Sequence, residues 1–149
     1  MSPRKAPQSA NADKTREAVL VTGFPSFTAM RLAAKIVATD RDARLFLLAR
    51  DKFVGLAKEQ LAGWPESHRR RVEVLVGDVT DMDLGLAGAE YQTLAESVTT
   101  IHHLAGVDNP GVKRDVAERV HVDGTRGVLE LASEARRLRR LCHWSTAAV

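Results

Sequence analysis

Residues 18–29 read AVLVTGFPSFTA, and this stretch decides the fold. Ala18 to Thr22 is a short apolar run of the kind that forms a buried strand, and it stops at Gly23. From Ala29 to Thr39 the apolar residues fall at helical spacing, through Met30, Ala33, Ala34 and Val37. A strand that turns through small residues straight into a helix makes an anion site. The turn must be tight, the backbone must approach the ligand, and the helix start offers free N–H groups and the positive end of its dipole. Only Gly23 is glycine here; Ser26 and Ala29 hold the other two spacings, and both are small.

Outward from this turn the same alternation repeats. Strands are predicted at Arg44–Ala49, Val72–Val76, Thr99–Leu104 and Leu141–Ser145. Helices are predicted at Lys52–Leu61, Glu90–Ser97 and Asp115–Ala135, the first of these ended by Gly63 and Pro65. Nearly all-apolar strands alternating with helices predict a parallel sheet covered on both faces. With right-handed crossovers that is an α/β, doubly wound parallel sheet, truncated after its fifth strand. Such sheets bind ligands at the carboxyl ends of their strands.

The 149 residues suit one domain at residues 18–149, and residues 1–17 read as a disordered basic tail. No apolar run approaches the roughly 20 residues that span a bilayer, and the polar N-terminus has no secretory apolar region. A single cysteine, Cys142, excludes an internal disulfide and a cysteine-rich metal site. It reads as a small buried hydrophobe, and a reducing, cytoplasmic setting fits. The net charge of +3 concentrates partly in Arg69-Arg70-Arg71 and in the run from Arg136 to Arg140. These read as solvated residues before a strand and at a helix C-terminus rather than as a nucleic-acid surface; no aromatics are interleaved for stacking. His102 and His103, neighbours on a strand, point to opposite faces, so no metal site is expected.

Each remaining strand ends in residues that suit a dinucleotide. The second ends in Ala49-Arg50-Asp51, with no carboxylate at its tip to hold both ribose hydroxyls. Arg50 can instead pair with a 2′-phosphate, which favours NADP over NAD; Asp51 is the competing signal, with a helix N-cap as its alternative role. The third strand ends in Gly77-Asp78-Val79-Thr80-Asp81, where an aspartate can hold the adenine amino group or merely make a turn. The fourth ends in His103-Leu104-Ala105-Gly106, small enough for backbone to lie against a cofactor. After the fifth come Ser145 and Thr146, hydroxyls that can bond a substrate carbonyl or simply cap a turn.

In order and spacing these segments resemble the extended short-chain dehydrogenase/reductases, enzymes of the Rossmann fold. Thr22–Ala29 is similar to their TGxxGxxG turn, with serine and alanine in place of two glycines. Gly77–Asp81 is similar to the adenine-contacting segment, His103–Gly106 to "HLAA", and Val122-Asp123-Gly124-Thr125 with Val128–Ala132 to "NVxGTxNVLELA". Asp83-Leu84-Gly85-Leu86 and the closing Trp144–Val149 resemble the thioester reductase and fatty acyl-CoA reductase branch, which reduces acyl thioesters with NADPH.

The resemblance implies that Thr22, Gly23, Ser26, Phe27 and Ala29 form the pyrophosphate turn and that Arg50 holds the 2′-phosphate. It implies that Asp78 and Val79 bracket adenine and that Leu104, Ala105 and Gly106 line the next part of the cofactor. Thr146, with Ser145 its rival, is implied as the catalytic hydroxyl for a carbonyl or acyl-thioester substrate. Three features depart from the family: Ser26 and Ala29 replace two glycines, His121 stands where asparagine is usual, and there is no Tyr-x-x-x-Lys, since Ala95 lies four residues after the only tyrosine, Tyr91. The expectation is therefore the NADP-binding part of a longer oxidoreductase, with that pair about 25–40 residues beyond Thr146. The alternatives are a non-catalytic dinucleotide-binding module, or a split-enzyme subunit whose partner chain completes the sheet.

Overall fold

The computed structural model describes residues 16–145. Five strands form one sheet: β1 (Ala18–Phe24), β2 (Arg44–Ala49), β3 (Val72–Val76), β4 (Thr100–His103) and β5 (Arg140–His143). Their spatial order is β3-β2-β1-β4-β5, and every pairing is parallel. The strand order reverses at β1, which lies mid-sheet between β2 and β4, so the predicted doubly wound α/β fold is the observed one. Helices α1 (Phe27–Thr39), α2 (Val54–Ala62) and the four-residue α3 (Glu66–Arg69) connect the first three strands. Next come α4 (Gly88–Ser97), then α5 (Arg114–Glu118), a π-helical turn at Arg119–Asp123, and α6 (Gly124–Glu134).

Alternation along the strands divides the core between the two faces. Val19 and Val21 of β1 join Leu45 and Leu47 of β2, packed against Ala29, Ala33 and Val37 of α1. Leu20, Phe46 and Ile101 face the other way, onto Leu94 of α4 and Val128 and Leu131 of α6. The central strand is thus apolar on both sides, as its sequence indicates.

Several boundaries differ from expectation for local reasons. Strand β1 runs on through Gly23 to Phe24, whose ring is buried, and α1 starts two residues early because the Ser26 hydroxyl caps it, accepting the Ala29 N–H at 3.3 Å. The single helix expected over Asp115–Ala135 is interrupted by the π turn. Asp51 opens a short 3₁₀ turn but makes no capping bond. Cys142 is half-buried, because β5 pairs with β4 alone. Of the expected tail, residues 1–15 lie outside the described residues, while the Glu17 carboxylate accepts the Thr99 hydroxyl at 2.5 Å and pairs with Arg139.

The arginine runs are largely occupied by the fold itself. Arg71 donates to the carbonyls of Val37 at 2.7 Å and Asp40 at 2.7 Å, at the end of α1, and of Ala43 at 3.2 Å, just before β2. Arg70 pairs with Glu66 at 2.7 Å, one helical turn back. Replacing Arg71 with alanine strands those carbonyls; it should cost about 1–3 kcal/mol in denaturant unfolding, whereas Arg70→Ala should cost under about 0.5 kcal/mol.

Candidate dinucleotide cleft

The carboxyl ends of β1, β2, β3 and the segment after β4 enclose a cleft of about 320 Å3. Gly23, Pro25 and Ser26 form one wall, Arg50, Phe53 and Leu56 another, Gly77, Asp78 and Val79 a third, and Ala105, Gly106 and Val107 the last. It lies where the strand order reverses, the place such a sheet leaves open between diverging connections.

Gly23 makes this cleft. Its φ is +79°, and a Cβ there would stand 2.8 Å from the Ala105 nitrogen and 2.9 Å from the Leu104 carbonyl carbon. Only glycine lets β1 and the end of β4 approach so closely. Ser26, by contrast, has φ −58° and needs no glycine. Its side chain stays at the cleft edge, where α1 begins and the helix presents its positive end. Ala29 is fully buried against the sheet, so its methyl group fills helix–strand packing and stays out of the cleft.

Arg50 is half-exposed, 4.0 Å from the Asp78 carboxylate across the cleft and 5.2 Å above the centre of the Phe53 ring. Lys52 approaches the same ring at 4.9 Å. Asp78 is held by its own turn, its Oδ1 accepting the Thr80 N–H at 3.0 Å and hydroxyl at 2.9 Å. Beneath it, the Asp78 N–H donates to the Leu84 carbonyl at 2.9 Å. That bond depends on an unusual turn: Asp83, Leu84 and Gly85 all have positive φ, at 52°, 59° and 69°, and Leu84 is fully buried.

Of the residues expected at the site, the structure gathers Gly23, Ser26, Arg50, Asp78, Val79, Ala105 and Gly106 on the cleft wall. Thr22, Ala29 and Leu104 support it from behind, and Phe27 is exposed at the start of α1, with the Arg31 guanidinium 5.9 Å from its ring centre. Ser145 is exposed beyond the end of β5, and Thr146 lies outside the described residues. Phe53, Leu56, Val107 and Val120 line the cleft without having been expected there. Phe53 and Leu56 had a readable signal, two apolar residues at i, i+3 just past a strand tip. Val120 had none, because the π turn that carries it breaks the helical period.

His103 is 1% exposed; its Nδ1 lies 2.8 Å from Thr22 Oγ1 and its Nε2 3.2 Å from Thr125 Oγ1. Burial, with His143 and His121 nearby, pushes it down to about 4. His102, on the opposite face, is also lowered, by burial and by Arg140. His121 braces the loop after β4, donating from Nε2 to the Val107 carbonyl at 2.9 Å. Burial and then Glu134 push the Tyr91 phenol up to about 12, and it reaches from α4 toward α6, away from the cleft. Among the described residues no group of three or more His, Cys, Asp or Glu side chains could hold a metal, and no helix is long and apolar enough to cross a membrane.

The model of the family described as male sterility protein matches residues 21–149. The chain belongs to that family. It is 27% identical over 143 residues to the fatty acyl-CoA reductase wat of Drosophila melanogaster, across 87% of this chain and 27% of the relative. It is 35% identical over 89 residues to the carboxylic acid reductase of Segniliparus rugosus, across 60% of this chain and 7% of that one. Among solved structures, the terminal R domain of the myxalamid PKS-NRPS pathway superposes with a TM-score of 0.74 at 27% identity, covering 87% of this chain and 34% of that one. The reductase domain of a nonribosomal peptide synthetase from Mycobacterium tuberculosis gives 0.69 at 28% identity, covering 88% and 33%. This member of the male sterility family thus carries an NAD(P)-binding domain of the thioester-reductase-like extended type and spans about a third or less of each of these relatives.

Two consequences can be measured. Gly23→Ala should lose about 2 kcal/mol or more in denaturant unfolding, from the left-handed φ and the collision with Ala105 together. In acid, the unfolded chain takes up the His103 proton near pH 6.5, whereas the fold resists it until about pH 4. The unfolded state therefore binds more protons in that window, and stability present above pH 6.5 falls by roughly 3 kcal/mol as pH drops through it. Unfolding midpoints at pH 7.5 and 4.5 measure this, and a slope that persists unchanged in His103→Asn would refute the assignment.

Proposed function

We propose that this chain is the NADP(H)-binding part of a cytoplasmic reductase that acts on a carbonyl or acyl-thioester substrate. One observation carries the reading: the cleft joins a close-backbone glycine turn and a helix start on one side to Arg50, with no carboxylate at the tip of β2, on the other. The residues present fit a dinucleotide, since Gly23, where a Cβ would collide with the Ala105 backbone, keeps the strand ends close and the turn tight beside the start of α1. Gly23 and Ser26 would hold the pyrophosphate with the first-turn amides of α1. Arg50 would take the 2′-phosphate and stack with Phe53 on the adenine side, and Asp78 and Val79 would bracket the base. Ala105 and Gly106 would carry the cofactor toward the end of β5, with Ser145 and Thr146, which follow it in the sequence, the candidates for the hydroxyl that would polarise a substrate carbonyl. The nicotinamide would supply hydride when bound, and the protein would orient it.

A second reading is favoured by a feature of the sequence itself. The only tyrosine, Tyr91, is buried far from the cleft, and no Tyr-x-x-x-Lys occurs. These residues alone then bind the dinucleotide without turning it over. Proton donation would come from a longer polypeptide or from a partner chain that extends the sheet at β5.

Calorimetric titration separates these ideas. The wild-type chain should bind NADPH at least tenfold more tightly than NADH, and Arg50→Ala should erase that difference by weakening NADPH alone, a loss of about 1.4 kcal/mol or more. Absence of binding to either nucleotide would remove the proposal, and an undiminished preference in Arg50→Ala would remove the role of Arg50.

A further inference from the structure

A continuous line of hydrogen bonds runs behind the cleft, from β4 through β1 and back to α6. The Leu104 and Ala105 N–H groups each donate to Thr22 Oγ1 at 3.1 Å. They fill both acceptor positions of that hydroxyl, so its own proton goes to His103 Nδ1 at 2.8 Å. The ring proton is therefore on Nε2, which donates to Thr125 Oγ1 at 3.2 Å, and Thr125 donates in turn to the His121 carbonyl at 2.6 Å. The direction is fixed at both ends, because a peptide N–H can only donate and a peptide carbonyl can only accept. His121 closes the circuit through its side chain, which holds Val107 at the far end of the same loop.

Packing alone does not explain a histidine here. The other β4 residue on this face, Ile101, is apolar, as are Leu20 beside it and Val128 above. A buried imidazole carries a desolvation cost that an apolar ring of similar size would not. His143, its ring centre 5.3 Å away, and His121 both add repulsion to any charge on it. The ring sits where its two nitrogens meet two hydroxyls, one of which anchors the amides leading into the cleft.

We infer that His103 is a positioning residue: its Nδ1 keeps the Thr22 hydroxyl turned so that both lone pairs hold the Leu104 and Ala105 amides, which sets the height of the Ala105–Gly106 backbone on which the dinucleotide lies. The cofactor half of this statement rests on the function proposed above; the bracing of the loop does not. His103 reaches the ligand only through Thr22 and the backbone, so its effect is on affinity and local order.

The test uses His103→Phe, His103→Asn, Thr22→Val and the double variant Thr22→Val/His103→Phe in the 149-residue chain. Asparagine sets its Oδ1 where Nδ1 stands and preserves the acceptor for Thr22. Two measurements are made: amide hydrogen exchange without nucleotide, and NADPH affinity by calorimetry. His103→Phe should speed exchange at Leu104 and Ala105 at least tenfold beyond any change at Val21 and Leu47, and should weaken NADPH about tenfold. His103→Asn should recover most of both losses, and the double variant should be no worse than Thr22→Val. Exchange at 104 and 105 that moves only in step with Val21 and Leu47 would overturn the inference, since that pattern marks global destabilisation. Should His103→Phe fail to fold, His103→Gln, which keeps the contact on the Nε2 side, replaces it; equal behaviour of the glutamine and asparagine variants would again overturn it. A wild-type chain that binds no NADPH would overturn the proposed function and the cofactor half, while the exchange data would still decide the bracing.

Discussion

The absence of one side chain shapes this domain. Because Gly23 has no Cβ, the end of β1 lies directly against the backbone of Leu104 and Ala105. Thr22, one residue earlier, can then reach the same two amides, and His103 can reach Thr22. Move the two strand ends apart by the width of a methyl group and these bonds lengthen together. The cleft, the buried histidine and the start of α1 all follow from a contact distance that glycine alone permits.

The fold was legible because its signal is repeated. Five short apolar runs separated by helical periods leave few topologies, and β1 with neighbours on both sides looks in sequence as it does in space: AVLV, apolar on both faces. The site was less evenly legible. Arg50 and Asp78 were readable as polar residues just past apolar strands, and Gly23 as a turn glycine. Ser26 and Ala29 look alike in sequence as small residues at motif spacings, yet one sits at the cleft edge capping a helix and the other is sealed beneath it. Spacing fixes which residues are near the turn; only the direction of each Cα–Cβ bond decides which of them faces a ligand.

What sequence could not disclose was cooperation between distant residues. Thr22, His103 and Thr125 each have an ordinary local reading: strand threonine, strand histidine, helix threonine. Their joint role appears only when β1, β4 and α6 are brought together across separations of 81 and 22 residues. The π turn was hidden for a related reason. It leaves the helical pattern on either side intact and shifts only the phase between them, which places Val120 on the cleft wall and the His121 carbonyl at the end of the hydrogen-bond line.

The left-handed turn at Asp83–Gly85 carries a consequence of its own. Two L-residues, Asp83 and Leu84, sit in the half of conformational space natural to their mirror images, at a cost of about 1–2 kcal/mol each. The shape is held from outside, by the core that swallows the Leu84 side chain and by the Asp78 amide that takes its carbonyl. It is therefore not portable: excised as a peptide or grafted onto another scaffold, the same three letters would relax into an ordinary right-handed bend.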